Sequence, residues 1–165
     1  MVLKIAGKKR TDDELKAASD HLWYEIWMLN SCAELLASGI NDRVIKNALI
    51  ESFAIHARQL LYFLYPDRSR VKGDDVVAYD FFPTEDEWKN NRTDIWPILP
   101  ANLTKRVGKE IAHITYFRQS VADKNWQINE INAEFISACK KFYELVTRNL
   151  LGSRWQRMPW DTKSV

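Results

Sequence analysis

Between Thr11 and Gly39 the residues Leu15, Ala18, Leu22, Ile26, Leu29, Ala33 and Leu36 recur at steps of three and four. A strand buries one face with a period of two, so a run this long at this spacing can cover its apolar side only as a helix packed against other helices. Its ends carry matching signals. Thr11 with Glu14 forms a capping box, Asp12 and Asp13 suit the positive end of the helix dipole, and Gly39 is a C′ stop. The spacing predicts a helix over 12–38.

Three more segments read the same way. A second helix is predicted over 42–65, with Asn41 as N-cap and Pro66 ending it. Its stripe is Ile45, Leu49, Ser52, Phe53, His56, Leu60, Phe63 and Leu64, and further apolar residues on its other sides predict that it is the most buried helix. A third is predicted over 103–121 behind Asn102, with Leu103, Val107, Ile111, Ile114 and Val121 on its seam. The fourth, over 128–151, carries Ile128, Ile131, Phe135, Cys139, Phe142, Val146 and Leu150 and is expected to stop at Gly152. The chain of 165 residues suits one domain, and five glycines and five prolines are few for a turn-rich β architecture. The expected fold is all-α: a single four-helix bundle over 1–165. It has an N-terminal arm (1–10), a long, partly helical crossover (66–100) between the second and third helices, and a C-terminal tail (152–165).

The crossover is too long to be featureless. Short elements are expected at 75–82 and from Thr84, where Thr84 and Glu87 make a second capping box ahead of Trp88. Tyr79, Phe81, Phe82, Trp88 and Trp96 should pin it to the helices, because exposed aromatics in that number are seldom tolerated. Each of the seven tryptophans carries an N–H that wants a partner, which places several at the edge of the core.

A formal net charge of +2 supplies no global pull toward phosphate. Cys32 and Cys139 fall within helical patterns and read as reduced, buried thiols of a cytoplasmic protein. No run approaches a membrane span, and the first ten residues lack the apolar core of a signal peptide, so no membrane partner is expected. Gly-rich phosphate loops, serine elbows and zinc-type cysteine pairs are missing from the sequence. No cofactor is expected.

Chemistry is carried by few residues. Arg106, Glu110 and His113 share one flank of the third predicted helix at steps of four and three, followed by Phe117. There an arginine can hold a phosphate and an imidazole can move protons near neutral pH. Arg106 and Glu110 equally suit a plain i,i+4 ion pair beside a boundary histidine. Glu110 and His113 also match the Glu-x-x-His pair of di-iron bundles, but no second pair exists at the right spacing, and no metal is expected. His56 sits mid-stripe on the second helix and needs partners for its ring nitrogens, with Ser52, Glu51 and Arg58 as candidates. His56 and Arg58 are the candidate binding residues. The acidic cluster of the crossover reads as capping and solubility. The tail, with Arg154, Trp155, Arg157 and Trp160, offers stacking for bases or headgroups, but its aromatics are expected to fold back on the domain.

The stretch Arg106-Val-Gly-Lys-Glu-Ile-Ala-His113 resembles the Arg-x(4–6)-His signature of the HEPN superfamily. Those are all-α bundles, many of them ribonucleases of toxin–antitoxin and phage-defence systems. The resemblance implies a composite, metal-independent RNA-cleaving site across a homodimer, with Arg106 orienting the phosphate and His113 as acid or base. Val107 stands where that family usually carries a polar residue. Two functions are therefore expected to compete. One is a non-catalytic helical module that binds a protein partner or small ligand, which the near-neutral charge and Val107 favour. The other is a HEPN-like ribonuclease or RNA-binding factor, which the shared flank of Arg106 and His113 favours.

Overall fold

The computed structural model describes residues 10–94, 103–112, 116 and 126–161, and every regular element among them is helical. Helix α1 (Asp12–Ala37) opens as expected. The Thr11 hydroxyl accepts the Glu14 N–H and the Glu14 carboxylate accepts the Thr11 N–H. It closes at Ser38, after which Gly39 takes φ +84°, the left-handed conformation that an αL cap requires. Leu15, Leu22, Ile26, Leu29 and Ala33 of the expected stripe are buried.

Helix α2 (Arg43–Leu64) starts one residue later than expected. Asp42, not Asn41, is its N-cap, and one carboxylate oxygen accepts the N–H groups of Val44 and Ile45 at 2.8 and 2.9 Å. An ionised cap also gains from the helix dipole. Phe53, Ala54, Ala57, Leu60 and Leu64 are fully buried, but Ile45 is half exposed and Val44 more so. The expectation that α2 is the most buried helix holds only from Leu49 onward. Its first two turns and the end of α1 opposite them stand clear of the core.

The crossover is ordered over its described part. A 3-10 turn (Ala78–Phe81) and helix α3 (Glu85–Asn91), capped by the Thr84 hydroxyl, carry Phe81, Phe82 and Trp88 into the core. Phe63, Phe81, Phe82 and Trp88 surround Phe142 with ring centroids 5.2–5.9 Å away, mostly edge to face. The Trp88 indole N–H donates to the Leu64 carbonyl at 2.8 Å and so satisfies an acceptor that the end of α2 leaves open. Trp96 and Asn102 lie outside the described residues.

Helix α4 (Leu103–Arg106) runs on as a π-helical segment, Val107–Ala112. Leu103 and Val107 are buried and the segment rests on α2. The rest of the third predicted helix, including Ile114, Phe117 and Val121, is outside the described residues.

Helix α5 (Ile128–Leu145) buries Ile131, Phe135, Ala138, Cys139 and Phe142. It contacts α1 and α2, and a side-chain amide bridge from Asn132 to Asn30 at 2.9 Å ties it to α1. It ends at Val146, not at Gly152, because the following residues have better partners on α1 than another helical turn supplies. Val146 is extended and buried, two 3-10 turns follow (Arg148–Leu150 and Ser153–Gln156), and the chain folds back as a strap. The Gly152 N–H donates to the Ser19 hydroxyl at 2.7 Å, and the Arg154 N–H donates to the Asp20 carboxylate at 3.0 Å. The buried Trp155 reaches the Ser19 carbonyl at 2.9 Å and stacks on Tyr143. The work of Gly152 is thus close approach: a Cβ there would sit 2.4 Å from the Asp20 carboxylate.

Candidate functional site

The sequence singles out two places, and the structure treats them differently. On α4 the Arg106 guanidinium forms a forked pair with Glu110. Nε lies 2.7 Å from one carboxylate oxygen and Nη2 lies 3.0 Å from the other. Both side chains are largely buried, at 18% and 11% exposure. The guanidinium also lies over the Trp126 ring, 4.3 Å from its centroid. Forked carboxylate pairing and π-stacking are the two contacts an arginine makes best. Here they neutralise its charge and lock its orientation between the π-helical segment and the start of α5. His113, the other half of the expected site, lies outside the described residues.

On α2, His56 is a site residue, but with a partner that the sequence does not suggest. Its Nδ1 is 2.6 Å from Oε2 of Glu25 on α1, and its side chain is 12% exposed. Of the candidate partners, Ser52 instead takes the Cys32 thiol at 3.5 Å, Glu51 is exposed, and Arg58 lies over Tyr62. A carboxylate only accepts, so Nδ1 must carry the proton, and in the neutral ring Nε2 is then the acceptor nitrogen. Tyr24 meets the ring edge-on at 5.8 Å and holds its plane.

Glu25 lines a groove between α1 and α2 of about 450 Å³. Its floor is apolar, from Ala18, Leu22, Leu60 and Phe63, with Val76 of the crossover as one wall. Its polar groups are His21 and Glu25, one turn apart on α1, and Gln59 one turn after His56 on α2. Glu25 is 28% exposed, and beyond His56 it has no hydrogen-bond partner among the described residues. His56 therefore acts through Glu25: it holds one carboxylate oxygen and leaves the other for an incoming donor. Nothing in the spacing of α1 announced Glu25 or His21, because each is an ordinary polar residue beside the seam. Only the antiparallel register of α1 and α2 makes Glu25 a neighbour of His56.

Arg58 faces the other side of the Gln59–Phe63 wall, in a cavity of about 500 Å³ bounded by Tyr62 and the crossover residues Arg70, Lys72 and Asp74. The acidic crossover is largely tied up in turns. Asp67 accepts from the Ser69 N–H and hydroxyl and lies 3.2 Å from Arg70, and these hydrogen bonds hold its carboxyl below the ordinary carboxylate range. Asp75 caps the Lys72 N–H, and Asp80 accepts the Val77 N–H. Burial pushes both the Cys32 and Cys139 thiols up, which suits the inert core thiols the sequence predicts.

Among the described residues no group of three or more His, Cys, Asp or Glu is placed to hold a metal ion, and no helix is long and apolar enough to cross a membrane. Comparison with family models, curated proteins and solved structures returns no match.

Proposed function

We propose that this chain is a non-catalytic binding module whose ligand enters the groove between α1 and α2. The ligand has an apolar body and a donor head, an amine or an N–H group of a small molecule or a partner protein. The observation that carries this reading is Glu25: a carboxylate at the edge of an apolar groove, with one oxygen held by His56 at 2.6 Å and the other without a partner among the described residues. Apolar pockets with a few placed polar groups are the usual form of a ligand site. In this reading Leu103–Ala112 opens the third helix of a cytoplasmic four-helix bundle, supported by the burial of Leu103 and Val107. The test is titration of labelled protein with phenethylamine and, in parallel, 3-phenylpropionate, followed by amide chemical shifts. Shifts at Leu22, Glu25, Leu60 and Val76 with the amine only, lost in Glu25→Gln, support the module. Equal response to both probes, or none, refutes it.

A second reading keeps the HEPN-like ribonuclease, with Arg106 and His113 as its residues and a homodimer as its working form. The observation that favours it is the π-helical winding of Val107–Ala112 between them, since such winding is concentrated at functional sites. The forked pairing of Arg106 with Glu110 counts against it, because a phosphate would have to displace a carboxylate. RNA cleavage in chelator, abolished in Arg106→Ala and in His113→Ala, is the result this reading requires.

A further inference from the structure

We infer that the C-terminal strap and α1 form a nucleotide-binding site that uses Trp23, Arg154 and Arg157. The site is separate from the groove that Glu25 lines and from Arg106.

Its geometry comes from the way the strap is pinned. Three hydrogen bonds from Gly152, Arg154 and Trp155 to Ser19 and Asp20 fix the turn Ser153–Gln156 against α1. A fourth runs the other way, from the Trp23 indole N–H to the Arg157 carbonyl at 2.7 Å. The Trp23 ring is thereby held in one plane, stacked on Trp27 with centroids 6.1 Å apart. Beside it lies a cavity of about 360 Å³ lined by Trp23, Ser153, Arg154, Gln156 and Arg157.

The chemistry of that lining is one-sided. Four of its five side chains can donate hydrogen bonds to an anion, the fifth is a large aromatic face, and no carboxylate lines it. The Arg154 guanidinium sits 5.9 Å from the Trp23 ring centroid. Neither Arg154 nor Arg157 has an ion-pair partner among the described residues, and both are exposed. Asp20, the nearest acid in this network, is engaged by the Arg154 backbone N–H. This contrasts with Arg106, which is paired with Glu110 and only 18% exposed. An indole held in one plane, beside two exposed guanidiniums that have no ion pair among the described residues, fits a flat aromatic group joined to phosphate: the base takes the place of Arg154 over the Trp23 ring and the arginines take the phosphate. Trp155 is buried, and Trp160, like Trp23, is partly buried against the core; of the three only Trp23, on α1, lines this cavity. The near-balanced charge of the whole chain does not oppose this, because charges beyond about 10 Å are screened at moderate salt.

The site can take a single nucleotide or one unit of a strand. The test uses fluorescence anisotropy of a labelled oligouridylate of about ten nucleotides, with tryptophan quenching by uridine monophosphate as the second arm. Binding of the oligonucleotide alone assigns the site to single strands, and equal binding of the mononucleotide assigns it to free nucleotides. On the oligonucleotide, where Arg154 and Arg157 each neutralise one of two successive phosphates, the log–log salt slope is about −1.4, so affinity falls about sevenfold for a fourfold rise in salt. Arg154→Ala with Arg157→Ala together should weaken binding at least about tenfold, and Trp23→Leu should do the same. Trp23→Phe, which keeps a stacking face, should bind better than Trp23→Leu. Arg68→Ala, which removes a cation from the crossover, should have no effect. Far-UV circular dichroism confirms that each variant is folded, and the arginine pair serves alone if Trp23→Leu is not. Absence of binding to both probes at low salt overturns the inference. So does undiminished binding by the double arginine variant, an equal loss in Arg68→Ala, or a preference for phosphatidylserine vesicles over both probes.

Discussion

Trp88→Phe tests whether the crossover is part of the core or only lies on it. Trp88 is 1% exposed, is stacked on Phe82, and meets Phe142 edge-on at 5.7 Å. Phenylalanine can keep much of the ring packing but cannot donate to the Leu64 carbonyl. Leu64 is the last residue of α2 and has no exposed surface, so its carbonyl loses a hydrogen bond that neither a later helical turn nor water replaces. Stranding a buried acceptor costs about 1–3 kcal/mol. The smaller ring removes a few buried carbon atoms, which adds about 1–2 kcal/mol in transfer and cavity terms. The expected loss is about 3 kcal/mol, a large part of the 5–15 kcal/mol of a typical domain. Urea denaturation followed by far-UV circular dichroism measures it, with the slope expected unchanged. Trp160→Phe is the control: Trp160 is only partly buried and its indole N–H has no partner among the described residues, so its loss should stay below about 1 kcal/mol. If Trp88→Phe costs no more than this control, the capping of α2 by Trp88 contributes nothing measurable and the account of the crossover is wrong.

His56→Ala should cost about 1–2 kcal/mol, less than a fully buried pair would, because Glu25 at 28% exposure can be rehydrated. A double-mutant cycle with Glu25→Gln should show coupling, and strict additivity would exclude the pair. Asp80 has its carboxyl pushed up by burial, against the opposing pull of the Val77 N–H and Arg10. A raised folded-state pKa means that stability falls as pH rises from the unfolded-state value through the folded one. Asp80→Asn keeps an acceptor for Val77, so it should be the more stable protein at neutral pH and should lose that advantage in acid. An advantage that grows on acidification would reverse the sign and sink the reasoning. Cys32 and Cys139 should both resist iodoacetamide at mildly alkaline pH until the protein is unfolded, as mass spectrometry would show. Gly152→Val should displace the Asp20 carboxylate and with it the Arg154 amide bond, loosening the strap. Unchanged proteolysis between Val146 and Asp161 would contradict that.

The sequence by itself determined the helical class, the start and stop of α1, the cap of α3 and the inward faces of α1 and α5. These are local matters: a period near 3.6, a capping box and a glycine in αL are written within a few residues of where they act. It also identified the packing of the crossover's described part onto the helices, because exposed aromatics need cover. It misplaced the cap of α2 by one residue and the end of α5 by six. Asp42 prevails over Asn41 through its charge and its position, and α5 stops early because Ser19 and Asp20 of α1 bond the residues that follow it and outbid the local pattern. The candidate site divides along the same line. Arg106 with Glu110 was legible as an i,i+4 pair because both partners lie on one helix. The Glu25–His56 pair was not, since 31 residues separate its members and only the packing of α1 on α2 brings them within 2.6 Å. The strap site is more distant still. Trp23 and Arg157 are 134 residues apart, and no periodicity carries information across that span. Local backbone preferences are encoded locally, whereas a neighbour across a helix interface is chosen by how whole surfaces pack. Tertiary packing alone therefore decided which polar residues share a groove and which guanidiniums are left without an ion pair among the described residues.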